Sequence, residues 1–151
     1  MKKIKIIQLV KIISLLLWLV AIFIFSNQVA QDSSSLSRIF VEPIEAYVPA
    51  SQGVATFLVR KSAHMFLYFI LGIMVYSLSR EFKLSDRKRT LYSLLFVFLY
   101  AISDEFHQKF VIGRSSELRD VFIDSIAGLL GIVFCYSLYE LMKRRLMFKQ
   151  V

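Results

Sequence analysis

Residues Leu91–Lys109 read LYSLLFVFLYAISDEFHQK, an apolar run that passes directly into two adjacent carboxylates. As helix, Leu91–Ile102 covers about 18 Å, roughly 12 Å short of a ~30 Å hydrocarbon core. About eight more residues at 1.5 Å each close that gap. On the N-terminal side only Arg87, Lys88, Arg89 and Thr90 are available. The helix is therefore expected to continue through Ser103, Asp104, Glu105, Phe106, His107, Gln108 and Lys109. Asp104 and Glu105 then sit at membrane depth, where ionisable groups are costly and need partners or a wet cavity. Whether the chain is a four-span bundle turns on this segment.

Composition supports a membrane setting. The 151 residues are 57% hydrophobic and 15% aromatic, with 5 Gly and 2 Pro, and the mean hydropathy is +0.62. Soluble domains run at about 45–50% apolar. Disorder and collagen-like chains are excluded by the same figures. A single cysteine, Cys135, excludes an internal disulfide framework and a Cys-clustered zinc site. No internal repeat or nucleotide-binding loop is present.

Three further apolar runs flank the first: Ile12–Phe25, extended by Ile6, Ile7, Leu9 and Val10, then Met65–Leu78 and Val121–Leu141. The expected architecture is all-α: one domain over residues 1–151, an integral membrane four-helix bundle with spans near 6–26, 60–79, 90–110 and 120–142. Lys2, Lys3 and Lys5 before the first run resemble a signal-peptide start. Gln28, however, stands where cleavage after Ala30 wants a small residue, so the segment reads as an uncleaved anchor. In the first loop, 27–59, Leu36, Ile39, Phe40, Ile44 and Tyr47 fall near helical spacing. They suggest a short interfacial helix bent near Pro43.

The net charge is +8, with pI near 9.7, and its distribution matters more than its size. The N-terminus, the 80–89 loop and the C-terminal tail hold 13 of the 19 basic and 3 of the 11 acidic residues; the other two loops net −2. Four spans put the first three segments on one face. The positive-inside rule then places both termini in the cytoplasm. The basic segments read as topology signals and anionic-lipid contacts, not as a nucleic-acid surface.

With that orientation, polar residues converge on the extracytoplasmic end. Arg60, His64 and Tyr68 are spaced i, i+4, i+8 with Gly72 continuing the face, and Lys61 adjoins them. Asp120 and Asp124 share a face of the fourth span, and Gly128 and Gly131 below them permit close helix approach. Gln108 lies one turn from Asp104 and Glu105, and Arg114 follows Gly113. A purely structural account makes these groups a clamp in which Arg60 or Lys61 pairs with Asp104 or Glu105. Buried ion pairs often only offset their desolvation, so stability alone explains such a cluster weakly. His107 reads as a solvated interface residue, Trp18, Tyr47 and Tyr100 as interface or packing aromatics, and Cys135 as inert.

At these residues the chain resembles the VanZ-like family of bacterial membrane proteins. The matching blocks are Trp18 with Phe25-Ser26-x-Gln28, then Arg60-Lys61-x-x-His64-x-x-x-Tyr68-x-x-x-Gly72. Asp104-Glu105-x-x-Gln108 follows, then Gly113-Arg114, Asp120, Gly128 and Gly131. Asp124 departs from the pattern, because the family more often carries Asn there. The resemblance implies a multi-pass protein of the bacterial cytoplasmic membrane with a cell-envelope role, and the founding member is associated with resistance to the glycopeptide teicoplanin. It supplies no established reaction.

Two functional expectations follow. One is a site for an amphiphile: a membrane lipid, a lipid-linked envelope precursor or a lipoglycopeptide. Arg60, Lys61 and Arg114 would hold phosphate or carboxylate, and Asp104, Glu105 and Asp120 an amine, sugar or cation. The other is an enzyme acting on such a lipid, with His64, Asp104, Glu105, Asp120 and Asp124 as general acid/base or ligands. No nucleophile motif accompanies them. No cofactor is predicted, though a divalent metal is within the reach of these side chains; the oligomeric state is not legible. A cysteine introduced at Ser116 is expected to react with a membrane-impermeant thiol reagent applied outside. Labelling only from the cytoplasm would sink the four-span topology.

Overall fold

The computed structural model describes residues 6–27, 52–111 and 117–148, with the side chains of 52–57 and of Arg60 outside that description. Every regular element among the described residues is helical: α1 (Ile6–Ser26), α2 (Gln52–Ser79), α3 (Asp86–Gln108) and α4 (Leu118–Phe148). The expected interfacial helix and Arg114 lie outside the described residues.

Three helical segments, Ile6–Ser26, Lys61–Ser79 and Leu118–Met147, are long and apolar enough to cross a membrane. α3 has the length, 23 residues or about 34 Å, but not the composition. Asp86, Arg87, Lys88, Arg89, Asp104 and Glu105 lower its average. An average ignores sidedness, and α3 is strongly sided. Its buried stripe is Arg89, Ser93, Val97, Ala101, Asp104, Glu105 and Gln108. Leu91, Leu95, Leu99 and Ile102 face outward. The same reversal marks α1, where Leu16, Leu17 and Val20 are exposed, and α4, where Phe122, Ile126 and Leu130 are. An apolar exterior around a partly polar interior is the arrangement a lipid solvent favours.

Several helices run beyond the expected spans: α2 begins at Gln52, α3 at Asp86, and α4 continues to Phe148. Backbone hydrogen bonding does not stop where apolarity does. Asp86 occupies the first turn of α3 and Arg145 the last turn of α4, each with the sign that the helix dipole favours.

Polar contacts define the directions of the helices. Trp18 Nε1 donates to the Leu67 carbonyl at 3.1 Å and Lys11 Nζ to that of Ser77 at 3.1 Å, so α1 and α2 are antiparallel. Tyr100 donates to the Leu19 carbonyl at 2.7 Å and Ser26 to Asp104 at 2.8 Å, so α1 and α3 are parallel. Lys61 pairs with Asp120 and His64 with Asp124, while Phe69 meets Gly131 further along. α2 and α4 are therefore parallel as well. This is an up-down-up-down bundle.

Glycine sets the closest approach. A Cβ on Gly72 would overlap the Gly128 carbonyl oxygen, and one on Gly131 would overlap the Phe69 carbonyl oxygen. Both obstacles are backbone and cannot turn aside. A single added methyl must push the α2 and α4 axes apart, and overpacking of this kind costs about 1–3 kcal/mol. Gly131→Ala is therefore expected to lower the thermal midpoint of the detergent-solubilised protein. Leu130→Ala, which removes an outward-facing side chain, is expected to leave it near wild type. An unchanged midpoint in Gly131→Ala would contradict the close crossing.

Candidate functional site

One end of the bundle gathers the last turn of α1, the first half of α2, the last turns of α3 and the first turns of α4. Helical periodicity supplies the geometry. His64, Leu67, Tyr68 and Leu71 lie on the buried side of α2, because positions three and four apart share a face. Asp104, Glu105 and Gln108 lie on the buried stripe of α3. Asp120 and Asp124 are one turn apart on α4, and they meet Lys61 and His64, which are three residues apart on the parallel α2.

Asp104 is at the centre. It is 5% exposed, and its Oδ2 accepts three hydrogen bonds, from Ser26 Oγ at 2.8 Å, Tyr68 OH at 3.2 Å and Gln108 Nε2 at 3.3 Å. Donors from α1, α2 and α3 thus converge on one oxygen. The other, Oδ1, is buried without a partner among the described residues. Tyr68 is fully buried, its ring beside those of His64 and Tyr100, with centroids 6.3 Å away in each case.

Asp124, 4% exposed, brings its Oδ2 to 3.6 Å from His64 Nδ1. That distance is outside hydrogen-bond range. Asp124 Oδ1 and His64 Nε2 are likewise buried without partners among the described residues. One donor atom from each of His64, Asp104 and Asp124 lies within 4.8 Å of the others. Such a group can hold a cation or the polar head of a ligand.

The remaining expected residues sit around this centre. Lys61 pairs with Asp120, not with Asp104 or Glu105 as a clamp reading expects. The parallel crossing of α2 and α4 carries the amine over α4 instead. Glu105, also 5% exposed, accepts the backbone N–H of Glu117 at 2.6 Å and so ties the end of α3 to the start of α4. His107 stacks on Phe23 with centroids 4.4 Å apart, its Nε2 3.3 Å from Asn27 Oδ1, at the rim of the cluster. Trp18 and Tyr100 are packing residues between helices, each donating to a carbonyl of a neighbour. Arg60 is a residue of α2 whose side chain is outside the described residues, and Arg114 lies outside them altogether.

Ser26 was not among the expected site residues, yet it is fully buried against Asp104. The Phe25-Ser26-x-Gln28 block was the available signal, and a serine at the end of an apolar run gives no stronger one. Arg89 also departs from its reading as a loop charge. It is 8% exposed, with its guanidinium on Asp86 and on the Leu84 carbonyl at 2.9 Å. The i, i+4, i+8 spacing of Arg89, Ser93 and Val97 carried that information.

The opposite end of the bundle has an open cleft of about 400 Å³ bordered by α1, α2 and α4. There Lys11 pairs with Glu81 at 2.7 Å and Arg80 lies over the Tyr139 ring. Its charges already have partners. Among the described residues, the buried carboxylate oxygens without partners, on Asp104, Asp120 and Asp124, are at the His64–Asp104–Asp124 end.

Comparison with known proteins identifies the family. The model of the family described as VanZ/LLP1 matches residues 11–141. No curated protein and no solved structure matches the chain. The family match reaches into all four helices and includes Ser26, His64, Asp104 and Asp124, so the buried cluster and the bundle that builds it lie within one shared pattern. The chain is a VanZ-like membrane protein and belongs to the VanZ/LLP1 family.

Proposed function

We propose that this protein crosses the bacterial cytoplasmic membrane four times, with both termini cytoplasmic, and holds the polar head of an amphiphile at its extracytoplasmic end. The observation that carries the reading is the buried cluster of His64, Asp104 and Asp124 at one end of an outward-apolar bundle. The basic segments favour the other end for the cytoplasm. The ligand's apolar part would lie along the exposed leucines and phenylalanines of the helices while its head reaches the cluster.

The head-group chemistry follows from the residues. Lys61 provides positive charge for phosphate or carboxylate, and Arg60 and Arg114, close in sequence to the cluster, would add to it. Asp104, Glu105 and Asp120 provide acceptors for an amine or sugar hydroxyls. A membrane lipid, a lipid-linked envelope precursor and the acylated tail of a teicoplanin-type glycopeptide share this chemistry. Retention of such a molecule at the outer leaflet is a route to glycopeptide resistance.

Glu105→Gln, His64→Ala and Arg114→Ala, each measured for membrane abundance and for teicoplanin sensitivity, test the reading. Abundance within about twofold of wild type with loss of the resistance phenotype is the expected result, since a binding group differs from a folding group in this way. Loss of abundance in all three would make the helix clamp a sufficient account. Turnover of the lipid by the purified protein, in place of reversible binding, would convert the binding site into an active site.

A further inference from the structure

We infer that His64, Asp104 and Asp124 are the protein ligands of a single divalent first-row transition-metal ion of the Zn²⁺ or Mn²⁺ kind. The inference deepens the head-group reading, because an ion there offers an open position to a phosphate or carboxylate oxygen. It is nonetheless tested with no amphiphile present, so the two can fail separately.

Four observations carry it. First, the three side chains come from three helices, α2, α3 and α4, and present donor atoms within 4.8 Å of one another. Two ligands at about 2.1 Å from a shared ion are separated by about 3.0–3.4 Å. The 3.6 Å between His64 Nδ1 and Asp124 Oδ2 is too long for a hydrogen bond and close to that separation. Second, Asp104 Oδ1 and Asp124 Oδ1 are both buried without partners among the described residues, and a buried unsatisfied polar group costs about 1–3 kcal/mol. Ligation uses such atoms.

Third, the charges balance. Two carboxylates and a neutral imidazole carry −2, and a divalent cation cancels it. Lys61, the nearby cation among the described residues, pairs instead with Asp120. Fourth, Asp104 is already oriented: Ser26, Tyr68 and Gln108 hold its Oδ2. Hydrogen bonds of this sort aim a ligating carboxylate and raise metal affinity. Of the other buried atoms without partners among the described residues, Tyr76 OH, Arg89 Nε and Ser93 Oγ lie away from the cluster, and Asp120 Oδ1 belongs to a carboxylate already paired through Oδ2 with Lys61.

The donor set selects the ion. Imidazole with two carboxylates suits Zn²⁺ or Mn²⁺, whereas Ca²⁺ takes six to eight oxygens and Mg²⁺ retains most of its water. Three protein ligands leave at least one coordination position open.

Full-length protein in detergent, freed of any polyhistidine tag and stripped with EDTA, is reloaded with ZnCl₂ or MnCl₂, desalted and assayed by elemental mass spectrometry. About one ion per chain is expected with at least one metal, with affinity reduced about ten- to a hundredfold in His64→Ala and in Asp124→Asn. Leu130→Ala, which removes an outward-facing side chain, is expected to retain the ion. Less than about a tenth of an ion per chain in the wild type overturns the assignment. So does full occupancy in a folded His64→Ala/Asp124→Asn double variant. If that variant does not fold, the wild type decides through its thermal midpoint. A rise of several degrees on metal addition, reversed by EDTA, supports the site, and an unmoved midpoint overturns it.

Discussion

Where Gly72 meets Gly128 and Gly131 meets Phe69, the backbones of α2 and α4 come together with no side chain between them. The geometry of the cluster depends on that crossing. In lipid there is little hydrophobic gain in bringing two apolar helices together, so close backbone contact and interhelical hydrogen bonds must hold them. With the helices parallel and in contact, residues three apart on α2 face residues one turn apart on α4. Lys61 then lies against Asp120, and His64 against Asp124. A looser crossing would separate Lys61 from Asp120 and draw Asp124 away from His64.

α3 completes the arrangement by being polar where a spanning helix is expected to be apolar. Its buried stripe is small in the middle, with Val97 and Ala101, and polar at both ends, with Arg89 and Ser93 at one and Asp104, Glu105 and Gln108 at the other. The small middle lets α3 pack beside the α2–α4 crossing, where Val97 lies against Gly128. The two ends differ in consequence. Arg89 is held locally by Asp86 and a carbonyl through its terminal nitrogens, whereas Asp104 collects donors from three helices and still has an oxygen without a partner among the described residues. One end closes the bundle, and the other presents unused ligand atoms.

Much of this was legible in the residue order. The all-helical fold follows from apolar run lengths, and the place where α3 must extend follows from 1.5 Å per residue. Helical periodicity put His64 with Tyr68 and Asp120 with Asp124, and the small residues marked the faces for close approach. Helix ends were less legible: α2 extends back to Gln52 and α4 on to Phe148 because helices persist through polar residues that hydropathy counts as loop. Ser26 escaped notice because one hydroxyl at the end of an apolar run has no pattern of its own.

Residue order alone carried the helices, the segregation of basic charge and the membership of Lys61, His64, Asp104 and Asp124 in one polar end. Those properties are periodic or compositional, and a one-dimensional chain carries them fully. The partners emerged only on packing: Lys61 with Asp120 and not Asp104, three donors on a single oxygen of Asp104, and Asp124 beside His64. Pairing across helices depends on their direction, rotation and separation. Those are set by backbone contact at glycine, a property of two segments more than 50 residues apart that neither encodes alone.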